Sequence, residues 1–109
     1  MMDEQNFKKR ADDALTSLHR ALVSAADDYG FDVDLNAGAL GVEFEDPPAK
    51  FVISPNTPVR QIWVSAHAKS YKLDWDIVEN AFVHPESGDT LKQLVEKAIS
   101  RQLKEEVTL

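Results

Sequence analysis

The chain contains no cysteine. That removes disulfides, thiolate metal sites, cysteine-ligated clusters and cysteine nucleophiles together. A cytoplasmic or other reducing location is expected, although a chain without cysteine is equally at home in an oxidising one. Glycine is scarce, with four residues and none clustered, so no glycine-rich phosphate loop exists. No apolar run approaches the roughly 18 residues that a membrane-spanning helix requires. The opening residues MMDEQNF lack the basic-then-apolar order of an export signal. Positive charge is also short: 12 Lys and Arg stand against 19 Asp and Glu, a formal charge of −7. Such a balance disfavours nucleic acid and anionic membranes, and favours cations or a basic protein surface with salt-sensitive association.

What is present fits one domain over residues 1–109, with 43% apolar and 28% charged residues. Phe7, Ala11, Ala14, Leu15, Leu18, Leu22, Ala25 and Tyr29 recur at three- and four-residue steps, which predicts a helix over 3–29. Asp3 suits its N-cap and Gly30 its stop. On the opposite face Lys8 and Lys9 precede Asp12 and Asp13 by four residues, so weak ion pairs on a solvated face are the simple reading. The sharper reading makes Asp12 and Asp13, with carboxylates at both helix ends, part of a cation-attracting surface.

Strands follow. Phe31, Val33 and Leu35 alternate with Asp32, Asp34 and Asn36, which predicts a half-buried strand with an acidic outer side. A turn at Asn36-Ala37-Gly38 returns the chain through Leu40, Val42 and Phe44. Asp46-Pro47-Pro48 breaks that strand. Phe51 to Ser65, reading FVISPNTPVRQIWVS, is the organising stretch: two Val- and Ile-rich runs around a rigid loop over Ser54 to Pro58. In the second run Ile62 and Val64 share one face, and Gln61, Trp63 and Ser65 the other. Trp63 is therefore expected outward, as a contact residue for a partner. Ala68 to Asp74 and Ala81 to His84 predict a fifth and a short sixth strand. Thr90 and Gln93 have capping-box spacing before the apolar stripe Leu91, Leu94, Val95, Ala98, Ile99 and Leu103. The tail after Glu105 carries Val107 and Leu109, which either pack back onto the body or fray.

The expected fold is α+β: an α-β sandwich with two helices on one face of a five- to six-stranded antiparallel sheet. Chemistry is sparse. His19, His67 and His84 lack the i+4 partner of a helical zinc site, and His19 reads best as a residue at the edge of the helix stripe. No nucleophile motif such as GxSxG occurs, and no deep cleft for paired carboxylates is indicated, so no catalytic residue is assigned. The carboxylates at the helix start, at Asp27 and Asp28, and at Asp32 and Asp34 can form a patch for hard cations such as Fe²⁺ or Fe³⁺. Such a patch is no cage, and its binding would be weak, multi-site and poorly selective.

FVISPNTPVRQIWVS, followed by YKLDW at Tyr71–Trp75, resembles the central sheet of the frataxin family, where a strand and a Pro-containing loop precede QIW or QVW. The resemblance extends to the acidic first helix, the Asn36–Leu40 turn and SGDTLKQL at Ser87–Leu94. It implies an α-β sandwich that binds iron on an acidic ridge of first helix and first strand and acts in iron–sulfur cluster assembly. It implies contacts with the cysteine desulfurase and scaffold machinery that modulate its rate; separately, a monomer that is not an enzyme is expected. By position the ridge includes Asp3, Glu4, Asp12, Asp13, Asp27, Asp28, Asp32 and Asp34. The partner-contacting sheet surface includes Asn56, Arg60, Gln61 and Trp63. Ridge positions usually acidic in the family carry Thr16, Arg20 and Val23 here, with Lys8 and Lys9 nearby, and Ser54 replaces the usual Asn. Each added cation lowers local attraction for metal. Ferroxidase chemistry, which needs bridging carboxylates and usually a His, ranks last.

Overall fold

The computed structural model describes residues 2–109. The elements run α1 (Glu4–Tyr29), β1 (Asp32–Asn36), β2 (Ala39–Glu45), β3 (Pro48–Asn56), a 3₁₀ turn (Thr57–Val59), β4 (Gln61–Ala66), β5 (Lys69–Asp76), β6 (Ala81–Val83) and α2 (Leu91–Leu103). All six strands form one antiparallel sheet in sequence order.

Local chemistry sets the element ends. The Asp3 carboxylate accepts from the Asn6 N–H at 2.7 Å, and Gly30 leaves α1 in the left-handed region at φ 76. A glycine takes that conformation without the Cβ penalty. At α2 the Thr90 side chain accepts from Gln93 N while the Gln93 side chain accepts from Thr90 N, so the capping box forms. Each such cap contributes about 1 kcal/mol.

Register sorts the side chains between two faces, because paired residues share a side of the sheet. Val42, Phe51, Ile53, Ile62, Val64 and Leu73 lie on the inner face and are nearly or wholly buried. Both helices cover that face, α1 through Phe7, Leu15, Leu18 and Leu22 and α2 through Leu91, Leu94, Val95 and Ile99. The tail returns: Val107 is buried, its N–H donates to Ser100 Oγ at 3.0 Å, and the Leu109 N–H donates to Glu96 Oε2 at 2.8 Å.

Three expectations are corrected. Ser54, Pro55 and Asn56 are not loop but the end of β3, with Pro55 opposite Ile62. β2 pairs with β3 only as far as Leu40 opposite Ile53, so β3 is locally an edge strand beyond that point and tolerates a residue without an N–H. Leu35, expected inward, is 49% exposed. It pairs with buried Leu40, but β1 is the outermost strand and no further strand shields it. Lys8 reaches back to Glu4 at 3.7 Å, and no Lys8–Asp12 or Lys9–Asp13 ion pair forms among the described residues. An acid placed four residues before a lysine is the better orientation for such a pair.

Candidate functional site

Among the described residues the outer face of the sheet carries no helix. Its central rows follow from the register: Ser54, Trp63 and Lys72 lie side by side, and Asn56, Gln61 and Asp74 form the next row. Strand alternation turns Ile62 and Val64 inward and therefore Trp63 outward, where it remains 36% exposed. Its indole Nε1–H donates to Gln61 Oε1 at 2.9 Å, and Gln61 Nε2 donates to Asp74 Oδ1 at 3.0 Å. The carboxylate orients the amide, and the amide orients the indole. Lys72 Nζ lies 4.9 Å from the Trp63 ring centroid on the neighbouring strand, a cation–π distance. The result is a preset aromatic plate on a rigid strand, a low-entropy contact surface of the kind enriched at protein interfaces.

Of the four residues assigned to partner contact, Asn56, Gln61 and Trp63 share this face. Arg60 does not. It sits in the left-handed region at φ 56, between the 3₁₀ turn and β4. Its guanidinium donates to the carbonyl oxygens of Met2, at 3.3 Å, and Thr57, which directs it toward the start of α1. Asp74 and Lys72 are the residues that sequence reading left out of this site. Their signal was the alternation in YKLDW, which puts both opposite the inward Leu73.

The carboxylates are more dispersed. Asp3 is engaged in capping α1 and Glu4 in pairing Lys8. Asp12, Asp13, Asp27 and Asp28 are exposed along α1, but consecutive helix residues diverge by about 100° around the axis, so Asp12 and Asp13 point to different flanks. Asp32 and Asp34 project from the outer sheet face, opposite Glu43 and Gly41, on the layer facing away from α1. Glu43 in turn pairs with Lys50 at 3.4 Å. Among the described residues no three His, Asp or Glu side chains come together as a metal-holding group. The chain's carboxylate oxygens suit iron as donors, yet their arrangement is an extended acidic surface. His67 and His84 have other uses: His67 Nε2 bonds with Gln102 Oε1 at 2.9 Å, and His84 Nδ1 with Ser87 Oγ at 2.9 Å.

An antiparallel meander of six strands backed by two helices, with Trp63 outward, fits the expected sandwich of five or six strands; the hydrogen bond from the indole to Gln61 is added by the structure. Residues 1–105 match the frataxin-like domain, and the chain belongs to that family. It is 30% identical over 108 residues to the iron–sulfur cluster assembly protein CyaY of Azotobacter vinelandii, covering 97% of this chain and 94% of that protein. It is 31% identical over 108 residues to the CyaY protein of Pseudomonas aeruginosa, covering 97% and 95%. The solved structure of the frataxin from Psychromonas ingrahamii superposes with a TM-score of 0.77 at 26% identity, over 98% of this chain and 97% of the other. Among the described residues no helix is long and apolar enough to cross a membrane.

Proposed function

We propose that this protein acts in iron–sulfur cluster assembly as a binding protein rather than an enzyme. It engages cysteine desulfurase or scaffold proteins through the outer sheet face around Trp63, with Asn56 and Gln61 beside it. The supporting observation is the Trp63–Gln61–Asp74 hydrogen-bonded chain, which fixes a large exposed ring before any partner arrives. The relatives' name, iron–sulfur cluster assembly protein, supports the pathway. In this reading iron is a cargo or signal, held weakly by the carboxylates of α1 and β1, with Asp12, Asp13, Asp32 and Asp34 the most available of them. A second reading, a metal-independent adaptor whose acidic surface only steers a basic partner, is favoured by the spread of those carboxylates over separate flanks and layers.

One pair of measurements separates the readings. With Fe²⁺ added at millimolar concentration, amide resonances of residues 3–13 and 32–34 broaden if the ridge binds iron; unbroadened spectra leave only the adaptor. In either case Trp63→Ala and Gln61→Ala abolish desulfurase or scaffold binding. Asp12→Asn and Asp13→Asn weaken mainly its salt dependence. Undiminished binding by Trp63→Ala would sink the docking face itself.

A further inference from the structure

Where β3 turns into β4 and β5 into β6, the start of α1 borders a depression of about 540 Å³. Met2, Val59 and Ile77 give it apolar walls, and half-buried Trp75 lies among them. Ile77 is 85% exposed and its neighbour Val78 88%, the two most exposed large aliphatic side chains described. They are not loosely placed. Asp76 Oδ1 accepts from the N–H groups of Val78 at 2.9 Å and Glu79 at 3.1 Å, pinning the turn that holds both side chains in water.

The charge on the lining itself is opposite to that of the molecule, with Asp76 and Glu79 standing in the turn beside it. Arg10 and Arg60 both line the depression, and among the described residues neither is in an ion pair. The Arg10 guanidinium lies 5.0 Å from the Trp75 ring centroid, and Arg60 is held only by backbone carbonyls. Asp74 is the one acid on the lining, and its Oδ1 already accepts from Gln61. On a chain of net charge −7, two guanidinium groups without carboxylate partners around an apolar hollow are a local inversion of sign.

We propose that this hollow docks an acidic-apolar peptide segment of a partner protein. An aliphatic or aromatic side chain enters between Val59, Trp75 and Ile77, and a flanking carboxylate meets Arg10 and Arg60 in the forked geometry that guanidinium groups favour. A small carboxylate alone would leave Val59 and Ile77 bare. A nucleic acid, with a charge at every phosphate, would meet far more of the whole chain's repulsion than a short peptide, and offers no aliphatic side chain for the apolar walls. The hollow adjoins the Trp63 face through Asp74, so the inference rests on the docking role proposed above and enlarges its footprint around the end of the sheet.

The test is a titration of ¹⁵N-labelled protein with the capped pentapeptide Glu-Asp-Leu-Phe-Glu, read at the indole N–H signals of the two tryptophans and at the Ile77 amide. Trp75 and Ile77 signals shift and saturate at millimolar peptide while the Trp63 indole stays still. Ile77→Ser and Arg10→Gln, both surface changes whose folding the same spectra verify, each weaken binding at least about fivefold. Arg101→Gln, an exposed cation on α2 away from the hollow, leaves it unchanged. The inference fails if nothing shifts, if a lysine version of the peptide binds equally, or if acetate alone reproduces the pattern, which would make it a small-carboxylate site only. Because Trp63→Ala is read against the desulfurase and Ile77→Ser against the peptide, either docking surface can fail without the other.

Discussion

Single residues decide more here than composition suggests. Gln102 is the only buried polar side chain described, at 7% exposure. Its amide donates to the Pro47 carbonyl at 2.8 Å and its oxygen bonds His67, tying α2 to two separate turns. Gln102→Ala orphans both partners and is expected to cost about 1–3 kcal/mol, seen as a lower urea midpoint. Nothing in the linear pattern marks it, because on a helical wheel it is one more amide near the edge of a stripe. Asp89 is another such residue. The hydrogen bond from Lys97, 2.8 Å away, holds its carboxyl below the usual 3.8, helped by Ser87 and by the charges of Lys97 and His84 and opposed by burial. A carboxylate with a lowered folded pKa stabilises above its unfolded value and loses that contribution as pH falls through the folded one. Lys97→Met should therefore lower stability at pH 6, by less than about 1 kcal/mol since the lysine is mostly exposed, and change nothing once Asp89 is protonated in both states. A gap of equal size in acid would show that the pair is not its source.

At the scale of elements, helices were legible and strand ends were not. The boundaries of α1 follow from Asp3 and Gly30, and the start of α2 from Thr90 and Gln93, since caps are local chemistry. The full length of β3 depended on how far it pairs with β4, which no property of Ser54-Pro55-Asn56 reveals. The tail was open between packing and fraying, and the outcome rests on partners one helix face away: Ser100 and Glu96 hold Val107 and Leu109 against α2. Deleting residues 105–109 uncovers that seam. We expect a loss of about 2–3 kcal/mol, roughly the burial of one Val with part of a Leu, measurable by urea unfolding. An unchanged midpoint would mean the tail contributes nothing.

At the scale of the whole molecule the excess of acids acts on itself as well as on partners. Carboxylates occupy both layers, along the exposed flanks of α1 and on the outer face at β1, with few compensating ion pairs. Raising salt from about 10 mM to about 150 mM shortens the Debye length from roughly 30 Å to 8 Å and relieves that self-repulsion. The melting temperature should rise over this range while affinity for a basic partner falls. A melting temperature that drops with salt would mean that attractive pairs outweigh the net charge. The candidate site divides along the same line. The outward indole was readable from alternation alone, whereas the turn of Arg60 toward α1 and the separation of Asp32 and Asp34 from the α1 acids required the assembled layers.

Hydrophobic periodicity and capping chemistry determined the helix–strands–helix order, the outward Trp63 and the inward residues of the helices and central strands, because these depend on neighbours within a few positions. They did not determine those of edge strand β1, where Leu35 is exposed. Tertiary structure alone decided which charges meet. It placed the first-helix and first-strand carboxylates on different layers, gathered Arg10 and Arg60 around one apolar hollow, and left Ile77 and Val78 in water. Those outcomes depend on distances between residues dozens of positions apart, which are set by strand register and helix placement rather than by any local preference.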